Sequence, residues 1–296
     1  MTDPVPPAHA DAAPPAHAPA APPAHPPAEL AAGPVPVGPS GAGVSLHTRR
    51  DGAVAVVTLT RPEALNAQTP ATWTALRAVR DTLPDTVRVV VVRGEGRAFS
   101  AGLDRRLFTP EGIPGQPGIA AIATLPADQA GEQIAEYQAA FGWLQTAPIT
   151  SVALVQGHAI GAGFQLALAC DLRLVGDDVS FCMAEPGLGI VPDLGGTQRL
   201  VDLVGYSRAV DLCLTVRRVG AEEALRIGLA TAVAPAAGLD DAAEPLLDAL
   251  LAVPRGAAVA TKGLLLAATG ERHAGQEQRE RTAQLARLRA LAAGRG

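Results

Sequence analysis

Two runs of the chain are so apolar that, as strands, they belong in a sheet covered on both faces. The first is "TVRVVVVRG", a predicted strand over 86–93, and the second is "ITSVALVQG", a predicted strand over 149–155. Segments with helical spacing of apolar residues precede both strands, from Thr69 to about Thr82 and over 128–146. Strands buried on both faces are typical of parallel sheets, whose crossover helices cover the two faces. The alternation predicts an α/β fold with a mostly parallel sheet.

The flanking segments extend this pattern in both directions. The stretch "VSLHTRRDGAVAVVTLTRP" predicts two strands joined by a turn at Asp51-Gly52, and "DLRLVG" predicts a further strand. Helices are predicted over 162–170, 195–204 and 206–215. From about residue 220 onward we expect no strands, only helices over "AEEALRIGLA", 241–252, 256–268 and 274–292. The charged stripe "EQRERTAQLARLRAL" in the last of these suits packing against the core or against another subunit.

The first 43 residues differ in composition from the rest. They hold 13 of the 26 prolines and repeat "PPAH" three times, with almost no bulky apolar side chains. Such a segment buries too little surface to offset the entropy of ordering it. We therefore expect a disordered tail over 1–43, an α/β core over 44–235 and a helical C-terminal region over 236–296.

Charge and cysteine content exclude several classes of protein. The net charge of −5 disfavours nonspecific binding of nucleic acid, which needs a basic surface. The cysteines Cys170, Cys182 and Cys213 are scattered without CxxC spacing, so neither a disulfide framework nor a zinc site is indicated. No run reaches the roughly 18 apolar residues of a membrane span, and no signal peptide is evident. We expect a cytoplasmic protein without membrane contact.

Two glycine-containing loops follow the two buried strands. In "GRAFSAGLD" (96–104), Gly102 permits a tight turn that could point the amide of Leu103 into a cleft. In "HAIGAGFQLALACD" (158–171), small residues lead into a helix whose first amide, at Ala162, has no intrahelical partner. Each loop alone is more typical of close packing than of catalysis. Side by side, they could aim two N–H groups at one oxygen, which is the geometry of an oxyanion hole.

Two carboxylates stand eight residues apart in the otherwise apolar stretch "FCMAEPGLGIVPDLGGTQRL" (181–200). Glu185 is either hydrogen-bonded to loop amides, or desolvated with a raised pKa and suited to proton transfer. Asp193 is either a helix N-cap or a second acid. Gln165, the first functional side chain of the preceding helix, cannot act as a base.

Together, four stretches resemble the crotonase superfamily, the enoyl-CoA hydratases and isomerases: "RPEALNA", "GRAFSAGLD", "GHAIGAGFQLALACDLRL" and "FCMAEPGLGIVPDLGGTQRL". The resemblance covers about residues 45–290. It implies a spiral of ββα units followed by a helical oligomerisation region that builds trimers, commonly paired into hexamers. It also implies an acyl-CoA thioester as substrate, with coenzyme A as part of that substrate, and no metal or redox cofactor.

The resemblance assigns roles to the candidate catalytic residues. The amides of Leu103 and Ala162 match the pair that holds the thioester oxygen. Hydratases of the family use two glutamates, at the positions of Gln165 and Glu185, whereas Δ3,Δ2-enoyl-CoA isomerases keep only the second. Dienoyl-CoA isomerases pair that second acid with an aspartate eight residues later, where Asp193 stands, although they also carry an aspartate at the position of Gln165.

Further positions resemble the family's coenzyme A site. Ala101 matches a residue whose carbonyl meets the adenine, and Arg97 and Arg106 match basic positions near the nucleotide. Lys262 resembles a position that reaches the coenzyme A of a neighbouring subunit, whereas Glu63 replaces a common lysine. Gly102 and Gly161 complete the residues expected to contact the substrate.

The retained Glu185 and the glutamine at 165 predict a double-bond isomerase acting through a thioester enolate. Two alternatives remain open: a hydratase in which Asp193 replaces the missing glutamate, or a non-catalytic acyl-CoA binder. A Gly/Pro-rich segment over 107–127 is long enough for a lid, and we expect it to shape the acyl pocket.

Overall fold

Valine-rich segments form the strands, and segments rich in alanine and leucine form the helices, as their intrinsic propensities favour. The computed structural model describes residues 34–109, 112–116, 118–146 and 148–293, without the side chains of 270–274. Its strands are β1 (Val35–Pro36), β2 (Val44–Arg49), β3 (Val54–Leu59), β4 (Val89–Gly94), β5 (Thr150–Val155), β6 (His158–Ile160), β7 (Leu172–Gly176), β8 (Ser180–Cys182) and β9 (Ala232–Ala234). Its α-helices are α1 (Pro70–Thr82), α2 (Ile119–Thr124), α3 (Ala127–Gly142), α4 (Ala162–Ala169), α5 (Gly196–Val204), α6 (Tyr206–Thr215), α7 (Ala221–Arg226), α8 (Leu239–Ala252) and α9 (Arg255–Ala292).

The main sheet has the strand order β1-β2-β3-β4-β5-β7-β9. Pairing is antiparallel from β1 to β3 and parallel from β3 to β9. Alternate side chains of its strands enter two separate apolar layers, because successive strand residues point to opposite faces. Val57 and Val92 join a cluster with residues of α1, α3 and α4, whereas Val56 and Val91 pack with Leu247 of α8. The predicted burial of the central strands on both faces is confirmed.

Three strands of three residues each lie outside the sequence prediction. β9 contradicts the expectation that no strand follows residue 220: it extends the sheet by pairing with β7, with Leu174 opposite Ala232. β6 and β8 form a separate parallel pair, with Ala159 opposite Phe181. Strands of three residues are too short to show an alternating pattern, so only tertiary contacts define them.

The beginning of the described chain also differs from the expected tail. β1 lies within 1–43 and pairs with β2, and Ala42 is buried against the core. A proline is compatible with this strand because β1 lies at the edge of the sheet. The rest of the predicted tail, residues 1–33, lies outside the described residues.

The C-terminal helices pack on opposite sides of the molecule. α8 covers the sheet, and α9 is one continuous helix instead of the two expected, contacting α2, α3 and α5. Glycine lowers helix stability by only about 1 kcal/mol, so the glycines near residue 270 do not end the helix as a proline would. Among the described helices, none is long and apolar enough alone to span a membrane; one bent pair, Ala236–Ala252 with Arg255–Thr269, has the required length and composition.

Candidate active site

Three loop segments run side by side at the carboxyl ends of β4 and β5. The N–H of Ser100 donates to the carbonyl of His158 (2.8 Å), and the N–H of Ile160 donates back to the carbonyl of Ser100 (3.0 Å). The N–H of Gly161 donates to the carbonyl of Cys182 (2.8 Å). The short β6–β8 pair therefore brings the third segment, which carries Glu185, against the other two.

Glycines allow the two predicted oxyanion loops to approach closely. Gly102 has φ 88° and Gly161 has φ 52°, in the left-handed region that favours glycine. A Cβ on Gly102 would lie 2.4 Å from the carbonyl oxygen of Ile160 and 3.6 Å from the nitrogen of Ala162. The amides of Leu103 and Ala162 have no acceptor among the described residues, and both residues line one cavity. The structure thus brings together the two donors expected from the sequence.

The "RPEALNA" motif holds the first of these loops. Asn66 donates from Nδ2 to the carbonyl of Ala98 (2.8 Å), and its own carbonyl accepts from the hydroxyl of Ser100 (2.8 Å). Gln68 donates its N–H to the carbonyl of Gly102 (2.7 Å). Asn66, Gln68 and Ser100 are buried, so these bonds form with little competition from water. The motif and the adjoining Gln68 therefore fix the direction of the Leu103 amide.

Glu185 begins a short 3-10 helix, Glu185–Leu188, directly after the β8 segment. Its side chain is 6% exposed and lines the cavity. A Cβ on Gly161 would lie 3.1 Å from Oε1, so the carboxylate sits against the backbone of the second oxyanion loop. Oε1 accepts from Nε2 of Gln165 (2.7 Å), whereas Oε2 has no hydrogen-bond partner among the described residues.

The protonation of Glu185 follows from this environment. Burial raises its pKa from 4.5 to about 7, although the hydrogen bond from Gln165 favours the charged form. A carboxyl group that ionises near neutral pH can both accept and return a proton. The desolvated alternative for Glu185 is the one that the structure supports.

Gln165 acts on Glu185 and does not line the cavity. Its Oε1 accepts from the N–H groups of Leu194 (2.9 Å) and Gly196 (3.3 Å). Because both partners are donors, they fix the amide orientation and turn Nε2 toward Glu185. Gln165 is fully buried. Gln165 therefore lies behind the carboxylate of Glu185, away from the cavity, and orients it.

Asp193 lies in the loop between Glu185 and α5, and it lines the same cavity. The interpretation as a helix N-cap is wrong, because Gly195 occupies that position without a side-chain cap from Asp193. The carbonyl of Asp193 accepts from Nε2 of Gln138 (2.9 Å). Burial, with the nearby charges of Glu185 and Glu280, raises its pKa well above the usual value. Asp193 is therefore suited to act as an acid.

The cavity beside these groups is about 700 Å³ in volume. Its wall is mostly apolar and takes in part of the predicted lid, which provides Phe108, Ile119 and Ile122. Tyr137, whose ring lies 4.5 Å from that of Trp73 at an angle of 52°, adds an aromatic side, and burial raises the Tyr137 pKa to about 12. Such a space accommodates a hydrocarbon chain better than a charged ligand.

A second cavity of about 670 Å³ adjoins the first, and the lining residues common to both are Ala101, Leu103, Arg105, Ile160 and Arg218. It is rich in arginine, with Arg106 as predicted and Arg61, Arg105 and Arg218 in addition. Arg61 and Arg106 both bind the carboxylate of Asp104, at 3.0 and 2.8 Å, and they hold the pKa of Asp104 well below its usual range. This arginine-rich cavity suits the binding of phosphate groups.

Two predicted coenzyme A residues lie apart from both cavities. Arg97 is exposed and lines neither. Lys262 lies near the amino ends of the strands, where Nζ donates to Asp171 (2.6 Å) and to the carbonyl of Ile149 (2.6 Å). The motif "GRAFSAGLD" places Arg97 at the expected position in the sequence, but it does not determine the direction of the side chain. Contact of Lys262 with coenzyme A in a neighbouring subunit stays a prediction.

Two residues of α9 at the site were missed by the sequence analysis. Glu280 accepts from the N–H groups of Gly195 (2.7 Å) and Thr197 (3.1 Å). Gln284, one turn later, accepts from the N–H of Val191 (3.0 Å) and lines the cavity. Both are 4% exposed. Their spacing of four was visible in the charged stripe, but nothing there separates a buried glutamate from an exposed one.

The match to known families covers this whole arrangement. A profile of the family described as enoyl-CoA hydratase/isomerase matches residues 49–288. The chain belongs to the enoyl-CoA hydratase/isomerase family. The crotonase-type α/β fold expected from the resemblance is thereby confirmed, and the protein is an acyl-CoA enzyme of this family.

Three relatives show how far the likeness extends. A probable enoyl-CoA hydratase of Mycobacterium tuberculosis is 33% identical over 194 residues, 65% of this chain and 69% of that protein. The carnitinyl-CoA dehydratase of Escherichia coli K12 is 34% identical over 214 residues, 70% of this chain and 74% of that protein. A Thermobifida fusca protein, provisionally assigned as an enoyl-CoA hydratase and solved with acetoacetyl-CoA, is 51% identical, with a TM-score of 0.73 over 83% of this chain and 95% of that one.

Proposed function

We propose that this enzyme is an enoyl-CoA double-bond isomerase that works through a thioester enolate. The observation that carries the proposal is the buried carboxylate of Glu185, which has one oxygen held by Gln165 and the other free of protein partners. A pKa of about 7 suits this group to accept a proton and to return it. The position that would supply a second base holds a glutamine.

Binding of the substrate is proposed along both cavities. The Thermobifida fusca relative was solved with acetoacetyl-CoA, which is an acyl-CoA thioester. The arginine-rich cavity suits the phosphates of coenzyme A, and the apolar cavity suits an acyl chain. The thioester then lies at their junction, beside Leu103. Proton transfer is the entire reaction, so no redox step enters the scheme.

The proposed reaction has two proton transfers. Glu185 removes a proton from C2 of a 3-enoyl-CoA, and the electron pair moves onto the thioester oxygen as a dienolate. The amides of Leu103 and Ala162 stabilise that oxygen; loss of one such donor typically costs about 2.7–4 kcal/mol of barrier. Return of the proton to C4 moves the double bond to C2. Asp193 either assists this return or tunes Glu185.

Hydration of a 2-enoyl-CoA is the second candidate, favoured by one observation. Asp193 lines the same cavity as Glu185 and has a raised pKa, so the two acids could together orient a water. The names of the Mycobacterium tuberculosis and Escherichia coli relatives also describe hydratase and dehydratase chemistry.

Assays with 3-enoyl-CoA and 2-enoyl-CoA, run side by side, separate the two reactions. We expect the isomerase to move the double bond of the first substrate faster than it hydrates the second. Asp193→Asn should then reduce migration only modestly, whereas a hydratase should lose nearly all hydration with this change. Fast hydration without any migration of the double bond would sink the isomerase proposal.

Assembly as a homotrimer or a dimer of trimers forms part of the same proposal. In support, α6 leaves the large apolar side chains of Tyr206 and Leu214 exposed, at 74% and 72%. Native mass spectrometry checks this, with a mass of three or six chains expected. A monomer at micromolar concentration would contradict it.

A further inference from the structure

Four consecutive N–H groups at the start of α5 are divided between two side chains. Oε1 of Gln165 accepts from the first and third, and the carboxylate of Glu280 accepts from the second and fourth. The four donors are Leu194, Gly195, Gly196 and Thr197. Because the donors alternate along one turn, movement of either acceptor displaces the donors of the other.

Glu280 reaches this turn from α9, a distant part of the chain. The side chain of Glu280 is 4% exposed, and its Oε1 also accepts from the hydroxyl of Thr197. Its charge lies at the amino end of α5, where exposed N–H groups and the helix dipole favour an anion. One turn along α9, Gln284 holds the N–H of Val191 (3.0 Å). The helix therefore fixes the 191–197 loop on both sides of Asp193.

The turn connects Glu280 to the proton-transfer group. Gln165 takes its orientation from the turn, and its Nε2 donates to Oε1 of Glu185 at 2.7 Å. That bond leaves Oε2 of Glu185 as the oxygen able to exchange a proton with substrate. We propose that Glu280 is a positioning residue for Glu185, acting through the first turn of α5 and through Gln165. The inference rests on the proposed role of Glu185 and goes beyond it.

The charged groups around Glu185 and Glu280 determine how a substitution of Glu280 should change the pKa of Glu185. The titratable groups that face Glu185 are Glu280, Asp193, Cys182 and Cys213. Glu280 itself faces Arg199, and Arg199 also faces Glu277. The negative charge of Glu280 raises the pKa of Glu185. Removal of that charge alone would lower the pKa of Glu185, whereas loss of the hydrogen bond from Gln165, which has the larger effect, would raise it.

The test uses Glu280→Gln in the full-length enzyme, with Glu132→Gln as the control. Glu132 is exposed on α3, so its substitution removes a carboxylate that takes no part in the hydrogen bonds described above. We expect Glu280→Gln to lower kcat by about 10- to 100-fold, since small misplacements of catalytic groups have effects of this size. KM should stay within about 2-fold, because Glu280 lines neither cavity. The ascending limb of the pH profile should move to higher pH, because a displaced Gln165 no longer stabilises the charged form of Glu185. Glu132→Gln should match the wild type in all three respects.

A double-mutant cycle with Gln165→Ala tests the route. If Glu280 acts through Gln165, the two losses in kcat should be strongly non-additive, with the double variant close to Gln165→Ala alone. Additive losses would overturn the proposal, as would a Glu280→Gln enzyme with lowered melting temperature but unchanged kcat and pH profile. If Glu280→Gln fails to fold, the conservative Glu280→Asp, measured in the same way, gives the same decision.

The readout distinguishes failure of this inference from failure of the proposed function. Glu280→Gln and Glu132→Gln are measured in whichever reaction the wild type performs, migration of the double bond or hydration. Glu185→Gln is measured in parallel. Retained activity in Glu185→Gln contradicts the role of Glu185 itself. Lost activity in Glu185→Gln together with an unaffected Glu280→Gln contradicts only the role of Glu280.

Discussion

At Glu185, burial and hydrogen bonding act on one carboxyl group in opposite directions. Desolvation disfavours the charge, whereas the amide of Gln165 stabilises it, and burial has the larger effect. The rise of the pKa from 4.5 to about 7 corresponds to about 3 kcal/mol, at 1.36 kcal/mol per pH unit. A glutamate in place of Gln165 would exchange this hydrogen bond for charge repulsion. The glutamine therefore holds the pKa of Glu185 lower than an ionised glutamate at position 165 would.

The activity of the enzyme should rise with pH as Glu185 ionises. Because proton abstraction needs the carboxylate, we expect kcat/KM for 3-enoyl-CoA to increase tenfold per pH unit below about pH 7 and to level off above it. A pH profile from 5 to 9 measures this. A profile already flat above pH 5.5 would show that Glu185 is not desolvated in the working enzyme.

Replacing Glu185 should also stabilise the protein at high pH. The folded state favours the protonated acid, so the stability that this provides is fully present below pH 4.5 and is lost as pH rises toward about 7. Glu185→Gln keeps the neutral shape and should raise the free energy of unfolding by up to about 3 kcal/mol at pH 8. Urea unfolding at pH 4.5 and pH 8 measures the gain, which should vanish at the lower pH. A gain in the free energy of unfolding from Glu185→Gln that is equal at both pH values would contradict the burial of a charge at this position.

At the scale of elements, the loops after β4 and β5 bring the amides of Leu103 and Ala162 together by approaching more closely than side chains permit. The hydrogen bonds of Ser100 align the loops, and the absence of a Cβ at Gly102 lets them close. The strands place these loops, but the glycines determine their spacing. The proposed function of this site thus depends on backbone contacts as much as on Glu185.

Gly102→Ala should therefore impair catalysis through sterics. The new Cβ would lie 2.4 Å from the carbonyl oxygen of Ile160, which must displace the Leu103 amide from its donor position. A loss of about 10²–10³ in kcat is expected, the size seen when one oxyanion donor is removed. Gly41→Ala is the matched control, because Gly41 has a similar φ of 79° but nothing within 4 Å of the added Cβ. Similar kcat losses in both variants would point to backbone strain in place of the loop contact.

At the scale of the whole molecule, sequence patterns predicted local structure well and long-range docking poorly. The long strands and the pairing of two glycine loops followed from alternation and from the position of each loop after a buried strand. The position of Glu280 could not be predicted from such patterns, because it depends on how α9 folds back across α5. The same limit applies to Lys262, whose helix was expected but whose contact with Asp171 was not. β9 was not predicted because three residues are too few to show an alternating pattern of apolar and polar side chains.

The proposed mechanism requires Glu185 to move a proton on the acyl chain of a thioester. NMR of 3-enoyl-CoA incubated in D₂O with wild-type enzyme and with Glu185→Gln measures this transfer. We predict a 2-enoyl-CoA product that carries deuterium at C4 wherever Glu185 has exchanged its proton with solvent, and a rate about 10²–10⁴-fold lower in the folded variant. Formation of a 3-hydroxyacyl-CoA as the sole product, or an undiminished rate in Glu185→Gln, would contradict it.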